Sequence, residues 1–126
     1  MGIEVSQLHP LFVGGITGLD TSNPTPEVVD VVEKAMAQYG VCVIRNASLS
    51  DEAHVRFCRA FGPLELPPPN NGRIASELYD ISNLTAEGEI TPPNPDGPQA
   101  ADFELFHTDS PFNALPTKWS FLLAYV

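Results

Sequence analysis

The spacing of the prolines limits regular structure in the middle of this chain. Eight of the thirteen prolines lie between Pro63 and Pro98. Because proline fixes φ and lacks a backbone N–H donor, helices and central strands are disfavoured there. We predict a proline-rich loop region over about 63–98, interrupted by one strand at about 79–83. Long loops of this kind often act as lids or binding loops, but composition alone equally allows a floppy surface insertion.

The residues before this region have the patterns of two helices and three strands. An apolar stripe at helical spacing begins after Thr25 and ends at Gly40, which predicts one helix. A second helix is predicted over 51–61 with Ser50 as its cap, and His54 is interpreted as a residue at the edge of the core rather than a ligand. Short strands are predicted over 3–5 and 11–19, and a buried strand over 41–44.

The last residues form the most apolar segment. Residues 119–126 read Trp-Ser-Phe-Leu-Leu-Ala-Tyr-Val, which predicts a buried strand. Natural termini are usually polar, and such a strand needs a neighbour that the preceding residues do not supply. We therefore expect the chain to be the N-terminal piece of a longer protein.

Charge and composition exclude several classes of partner. Sixteen acidic and six basic residues give a formal net charge of −10. Nucleic-acid binding needs clustered Lys and Arg, which the sequence lacks, and an anionic membrane would repel this surface. No apolar run approaches the ~20 residues of a membrane span, and the first residues lack a secretion signal. Cys42 and Cys58 suit buried thiols in a reducing compartment, so a cytoplasmic protein is predicted.

His107 and Asp109 are the candidate metal ligands. Residues two apart on an extended backbone point to the same side, so the two side chains would offer a nitrogen and an oxygen to one point. They correspond to two ligands of the 2-His-1-carboxylate triad that holds non-haem Fe(II). The spacing is weak evidence, since the composition gives about 0.2 such pairs by chance. A histidine hydrogen-bonded to a carboxylate in a turn explains the spacing alone better.

Several segments occur in the order found in one enzyme family. They are residues 8–12 with 18–20, 39–45 (YGVCVIR), 57–65 (FCRAFGPLE), 80–83 (DISN), 106–112 (FHTDSPF), and Pro116 with 120–124 (SFLLA). Together they make nearly the whole chain resemble the taurine and 2,4-dichlorophenoxyacetate dioxygenase family of Fe(II)/2-oxoglutarate-dependent oxygenases. The dichlorophenoxyacetate branch is the more similar one.

The resemblance implies a fold that this chain would hold only in part. The fold class would be mainly β with flanking helices (α+β), a double-stranded β-helix or jelly roll. Residues 1–126 would be the N-terminal part of a single dioxygenase domain. Relatives are commonly oligomeric, so assembly as a homo-oligomer stays open.

The resemblance also implies the reaction. His107, Asp109 and a distal histidine would bind Fe(II), with no catalytic residue beyond the metal ligands. With 2-oxoglutarate as co-substrate and O2, a small organic molecule would be hydroxylated, giving succinate and CO2. The distal histidine, and the arginine and threonine that contact 2-oxoglutarate, would lie beyond Val126. We therefore expect the full-length protein to be an enzyme and the 126-residue piece alone to be inactive.

Three positions bear on the substrate. Taurine-specific relatives carry a histidine and an asparagine where this sequence has Pro67 and Phe103, which argues against taurine. Arg73, the only basic residue in the proline-rich loop region, could face an anionic substrate or be a solvated surface arginine. Phe103 and Arg73 are thus the candidate substrate contacts, and a small anionic molecule is the expected substrate.

Two other functions stay open. One is a catalytically dead jelly-roll binding module of the same fold. A retained downstream histidine and arginine would favour the enzyme over this module. The other is a small acidic interaction domain in which the pairing of His107 with Asp109 is accidental.

Overall fold

All helices and strands in the described part of the chain precede the proline-rich loop region. The computed structural model describes residues 2–47, 49–67, 74–82, 84–90 and 106–125. The chain divides into two units, Met1–Leu64 with Tyr125–Val126, and Glu65–Ala124. The described elements all belong to the first unit, and in chain order they are β1 (Glu4–Gln7), β2 (Gly14–Thr17), α1 (Pro26–Tyr39), β3 (Cys42–Ile44) and α2 (Asp51–Arg59).

The three strands form one mixed sheet in the order β1-β2-β3. β1 pairs with β2 antiparallel, and β2 pairs with β3 parallel, so that Ile16 lies opposite Val5 on one side and Ile44 on the other. A parallel pair needs a crossover connection, and α1 supplies it while packing against β2 and β3. Ile16 in the central strand is fully buried and marks the core of this unit.

Helix α1 begins and ends at the residues that its sequence predicts. Thr25 Oγ1 accepts the N–H of Val28 at 3.4 Å. Gly40 has a φ of 72° and donates its N–H to the Met36 carbonyl at 2.9 Å. A glycine suits this left-handed position because it has no Cβ. The predicted helix is confirmed, and its buried side chains are Val28, Val32 and Ala35.

Helix α2 is also confirmed, although it ends earlier than predicted. Ser50 Oγ accepts the N–H of Ala53 at 3.3 Å. The helix stops at Arg59, and Phe61 follows in a tighter turn, donating its N–H to the Cys58 carbonyl at 3.1 Å. His54 is buried in the apolar face of this helix, as its position in the sequence predicts.

The strand predictions for the first unit need correction. The predicted strand over 11–19 is shorter, because Val13 has a φ of 79° and its carbonyl accepts the N–H of Leu8 at 2.8 Å. This tight turn occupies the residues before Gly14. The strand predicted over 41–44 forms, but the prediction that it is buried was wrong, since Val43 is 37% exposed. β3 lies at the edge of the described sheet, and its alternate side chains face opposite sides.

The strands predicted over 79–83 and 119–126 are absent from the described residues. Residues 79–82 and 119–125 are not in strands, and Leu122 is 82% exposed. An extended segment becomes a strand only when a neighbour shares its backbone hydrogen bonds, and no described segment pairs with either one. Asn83 and Val126 lie outside the described residues. The second unit instead contains a turn closed by an antiparallel bridge between Leu84 and Ile90.

The described elements agree with the α+β part of the predicted fold class. They form a small mixed sheet with two helices, and they do not themselves form a jelly roll. Neither of these two helices is long and apolar enough to cross a membrane.

Candidate metal centre

His107 and Asp109 come together in the second unit. Residues 106–108 are in neither a helix nor a strand, and Asp109 lies at a bend. His107 Nε2 lies 3.2 Å from Asp109 Oδ1, and the two side chains are 52% and 50% exposed. The pair is therefore half-open to solvent, with one nitrogen and one oxygen facing a common point.

This distance fits two ligands of one metal ion. Ligands in adjacent positions at about 2.1 Å from a metal lie about 3 Å apart. The same 3.2 Å also fits a hydrogen bond from the imidazole N–H to the carboxylate, as in the turn considered above. The geometry thus permits both interpretations. Among the described residues, no group of three or more His, Cys, Asp or Glu side chains is arranged to hold a metal ion.

The second oxygen of Asp109 is held by a residue that the sequence did not reveal. The Ser120 hydroxyl donates a hydrogen bond to Asp109 Oδ2. Hydrogen bonds of this kind orient ligating carboxylates and tune their basicity. Ser120 lies eleven residues further along the chain. Its only signal in the sequence is its place in the matched segment 120–124.

Glu65 organises the residues that follow Asp109. Its Oε1 accepts the Ser110 hydroxyl at 2.5 Å, and its Oε2 accepts the Thr117 hydroxyl at 2.7 Å. These hydrogen bonds, with a further one from the Asn113 side chain, lower the pKa of Glu65, whereas the nearby charge of Asp109 acts in the opposite direction. Glu65 is therefore a carboxylate at neutral pH. Sequence reasoning assigned it no role, although it belongs to the matched segment 57–65.

The described structure does not add the other candidate residues to this site. Arg73 and Phe103, the predicted substrate contacts, are outside the described residues. Cys42 and Cys58 are free thiols in the first unit. Burial raises the pKa of Cys58 to about 11, so this thiol is protonated at neutral pH and is a poor metal ligand.

A family-wide sequence model matches nearly the whole chain. The model described as "Taurine catabolism dioxygenase TauD, TfdA family" matches residues 4–126. The chain belongs to this TauD/TfdA family. The match includes both His107 and Asp109 and confirms the resemblance stated from the sequence motifs.

Two curated relatives are similar to the whole of this chain. One is the alpha-ketoglutarate-dependent 2,4-dichlorophenoxyacetate dioxygenase of Cupriavidus pinatubonensis (strain JMP 134 / LMG 1197), 32% identical over 136 residues, which cover 100% of this chain and 46% of that protein. The other is the protein of the same name from Burkholderia sp. (strain RASC), 34% identical, covering 100% of this chain and 45% of that protein. The chain thus spans about half the length of these relatives.

A solved structure is similar in fold as well as in sequence. The crystal structure of AAD-2 in complex with Mn(II) and N-oxalylglycine matches with a TM-score of 0.73 and 34% identity, over 90% of this chain and 40% of that one. At 34% identity, the similarity includes the sequence as well as the fold. The coverage agrees with a chain that contains part of a family domain.

Proposed function

We propose that the intact protein is a non-haem Fe(II)- and 2-oxoglutarate-dependent dioxygenase. It hydroxylates a small anionic organic molecule and releases succinate and CO2. The observation that carries the proposal is the approach of His107 Nε2 to Asp109 Oδ1 at 3.2 Å, in a chain that matches the TauD/TfdA family over residues 4–126. The jelly-roll fold, with residues 1–126 as the N-terminal part of one domain, belongs to the same proposal.

The residues in this chain have a defined share of the chemistry. Bound Fe(II) supplies the site at which 2-oxoglutarate and O2 react. His107 contributes a neutral nitrogen, and Asp109 contributes an oxygen whose negative charge offsets part of the charge of the cation. Because the Ser120 hydroxyl donates to Oδ2, Asp109 would offer Oδ1 to the metal ion.

The rest of the site is proposed to lie downstream. A distal histidine would complete the ligand set, and an arginine and a threonine beyond residue 126 would bind 2-oxoglutarate. The 126-residue chain alone is then inactive. The proposal also places the intact protein in the cytoplasm. Assembly as a homo-oligomer is a further part of it.

The proposed substrate is a small organic carboxylate. Two relatives are named for 2,4-dichlorophenoxyacetate. This chain carries Pro67 and Phe103 where taurine-specific relatives have polar side chains, and Arg73 is the only basic residue of the proline-rich loop region over about 63–98. We therefore expect 2,4-dichlorophenoxyacetate, and not taurine, to stimulate succinate formation from 2-oxoglutarate by the intact protein.

Metal titration of the intact protein tests the proposal. Fe(II) is added anaerobically to wild type, to His107→Ala and to His9→Ala, which changes an exposed histidine of the first unit. Loss of a single residue that orients a ligand costs about 10–100-fold in affinity, so loss of the ligand His107 should cost at least as much. His9→Ala should bind like wild type.

The outcomes separate the candidate functions. Weak binding by His107→Ala, together with succinate formation by wild type, supports the dioxygenase. If wild type binds Fe(II) but forms no succinate with any of the carboxylates tested as substrates, the catalytically dead binding module is favoured. Equal affinity in wild type and His107→Ala would overturn the metal site and favour the acidic interaction domain.

A further inference from the structure

The loop over residues 110–117 leads from Asp109 towards Ser120, whose hydroxyl holds the Asp109 carboxylate. It begins directly after Asp109 and ends three residues before Ser120, which donates to Asp109 Oδ2. Ser110 has a φ of 52°, and its carbonyl accepts the N–H of Asn113 at 3.2 Å, so the chain turns sharply here. The path of this loop determines whether Ser120 reaches Asp109.

Glu65 closes this loop from outside it. One carboxylate oxygen accepts the hydroxyl at the start of the loop, from Ser110 at 2.5 Å, and the other accepts the hydroxyl at its end, from Thr117 at 2.7 Å. Hydrogen bonds to an ionised acceptor are about twice as strong as neutral ones. The contacts span 45 and 52 residues along the chain, so local turn geometry does not explain them.

The charges indicate that these contacts are specific. Asp109 lies close enough to disfavour the ionised form of Glu65, so two carboxylates share one neighbourhood. Hydroxyl donors from Ser110 and Thr117 outweigh this repulsion. An acidic residue beside a metal-binding carboxylate is unfavourable unless such donors hold it, and both donors belong to the same loop.

We propose that Glu65 is a positioning residue of the metal centre, which closes loop 110–117 and thereby keeps Asp109 and Ser120 in contact. The inference rests on the proposed function, in which His107 and Asp109 bind the metal. Glu65 is not assigned a contact with metal or substrate. Its effect passes through Ser110 and Thr117 to the orientation of the Asp109 carboxylate.

Mn(II) binding to the intact protein tests this role. The variants are Glu65→Ala, Glu65→Gln, and Glu87→Ala, which removes the same charge from an exposed turn of the second unit. Glu65→Ala should bind Mn(II) about 10–100-fold more weakly, as expected for a residue that orients a ligand. Glu65→Gln should restore most of the affinity, because an amide accepts one hydroxyl and donates to the other. Glu87→Ala should bind like wild type.

A second variant covers the case in which Glu65→Ala does not fold. Ser110→Ala combined with Thr117→Val removes both donors and leaves Glu65 in place, and it should weaken Mn(II) binding to a similar extent. Melting temperatures, read by circular dichroism, should stay near that of wild type for every folded variant. A residue that only supports the fold would lower the melting temperature together with the Mn(II) affinity when it is replaced.

The failing outcomes are distinct. If His107→Ala loses Mn(II) binding while Glu65→Ala and the double variant bind like wild type, the role of Glu65 is overturned and the metal site stands. If Glu65→Gln binds as weakly as Glu65→Ala, hydrogen bonding to the loop is not what matters, and the proposal fails. If His107→Ala also binds like wild type, the proposed function itself fails.

Discussion

The two units of this chain are stabilised in different ways. The first unit has capped helices, a sheet, and a core that includes Ile16, Val32 and Phe57. In the second unit, the segment 106–120 that contains His107 and Asp109 has no helix or strand, and side-chain hydrogen bonds to Glu65 and Asp109 hold it. Burial therefore determines stability in one region, and a few polar contacts determine geometry in the other. Substitutions should separate folding from metal binding.

The largest effect on folding is expected from Phe57. Its side chain is 3% exposed and packs edge-to-face on Phe61, with ring centroids 5.2 Å apart. Phe57→Ala should lower the free energy of unfolding by about 3–5 kcal/mol, measured by urea denaturation of the intact protein. Phe57→Leu keeps most of the volume and should cost clearly less. A loss below about 1 kcal/mol for the alanine variant would show that burial does not dominate this region.

Ser120 should show the opposite behaviour. Removing its hydroxyl frees Asp109 Oδ2 without opening a core cavity, so Ser120→Ala should weaken Mn(II) binding about 10–100-fold. The free energy of unfolding should change by no more than about 0.5 kcal/mol, as is usual away from the core. Ser120→Thr retains the hydroxyl and serves as the control. A large loss of stability with unchanged metal affinity would remove the distinction between the two units.

The same division explains what could be predicted from sequence. Helices α1 and α2 were predicted because Thr25, Gly40 and Ser50 act on their own helix ends. The segments over 79–82 and 119–125 were wrongly predicted as strands, because local apolar character does not specify a pairing partner.

The candidate site shows the same limit. The approach of His107 to Asp109 follows from a spacing of two residues. The roles of Ser120 and Glu65 depend on contacts made eleven and 45 residues along the chain, which no local pattern encodes.

A smaller effect is expected at the cap of α1. Thr25 Oγ1 accepts one of the N–H groups that the first turn leaves without a helical partner. Thr25→Ala should lower the free energy of unfolding by about 1 kcal/mol, and Thr25→Ser should retain most of it. Metal affinity should not change in either variant. Altered Mn(II) binding in Thr25→Ala would contradict the independence of the two regions.

The smallest effects are expected from pH, and they should fall in different ranges for the two units. Burial lowers the pKa of His54 below its ordinary 6.5, although the charge of Asp51 partly opposes this. The unfolded chain therefore takes up the proton at a higher pH than the folded one, and stability present above pH 6.5 falls as the pH drops towards the folded pKa. His54→Gln should remove this slope in urea denaturation below pH 6.5.

Glu65 should affect the pH dependence of stability only in more acidic solution. Hydrogen bonds from Ser110 and Thr117 hold its pKa below the ordinary 4.5, so its stabilising contribution is complete above pH 4.5 and is lost as the pH falls through the folded value. Glu65→Gln should therefore flatten the pH dependence of unfolding only below about pH 4.5, whereas the effect of His54→Gln should begin already below pH 6.5. If Glu65→Gln also changed the pH dependence of unfolding near pH 6.5, the titrations of Glu65 and His54 would be coupled. This result would contradict the independence of the two regions.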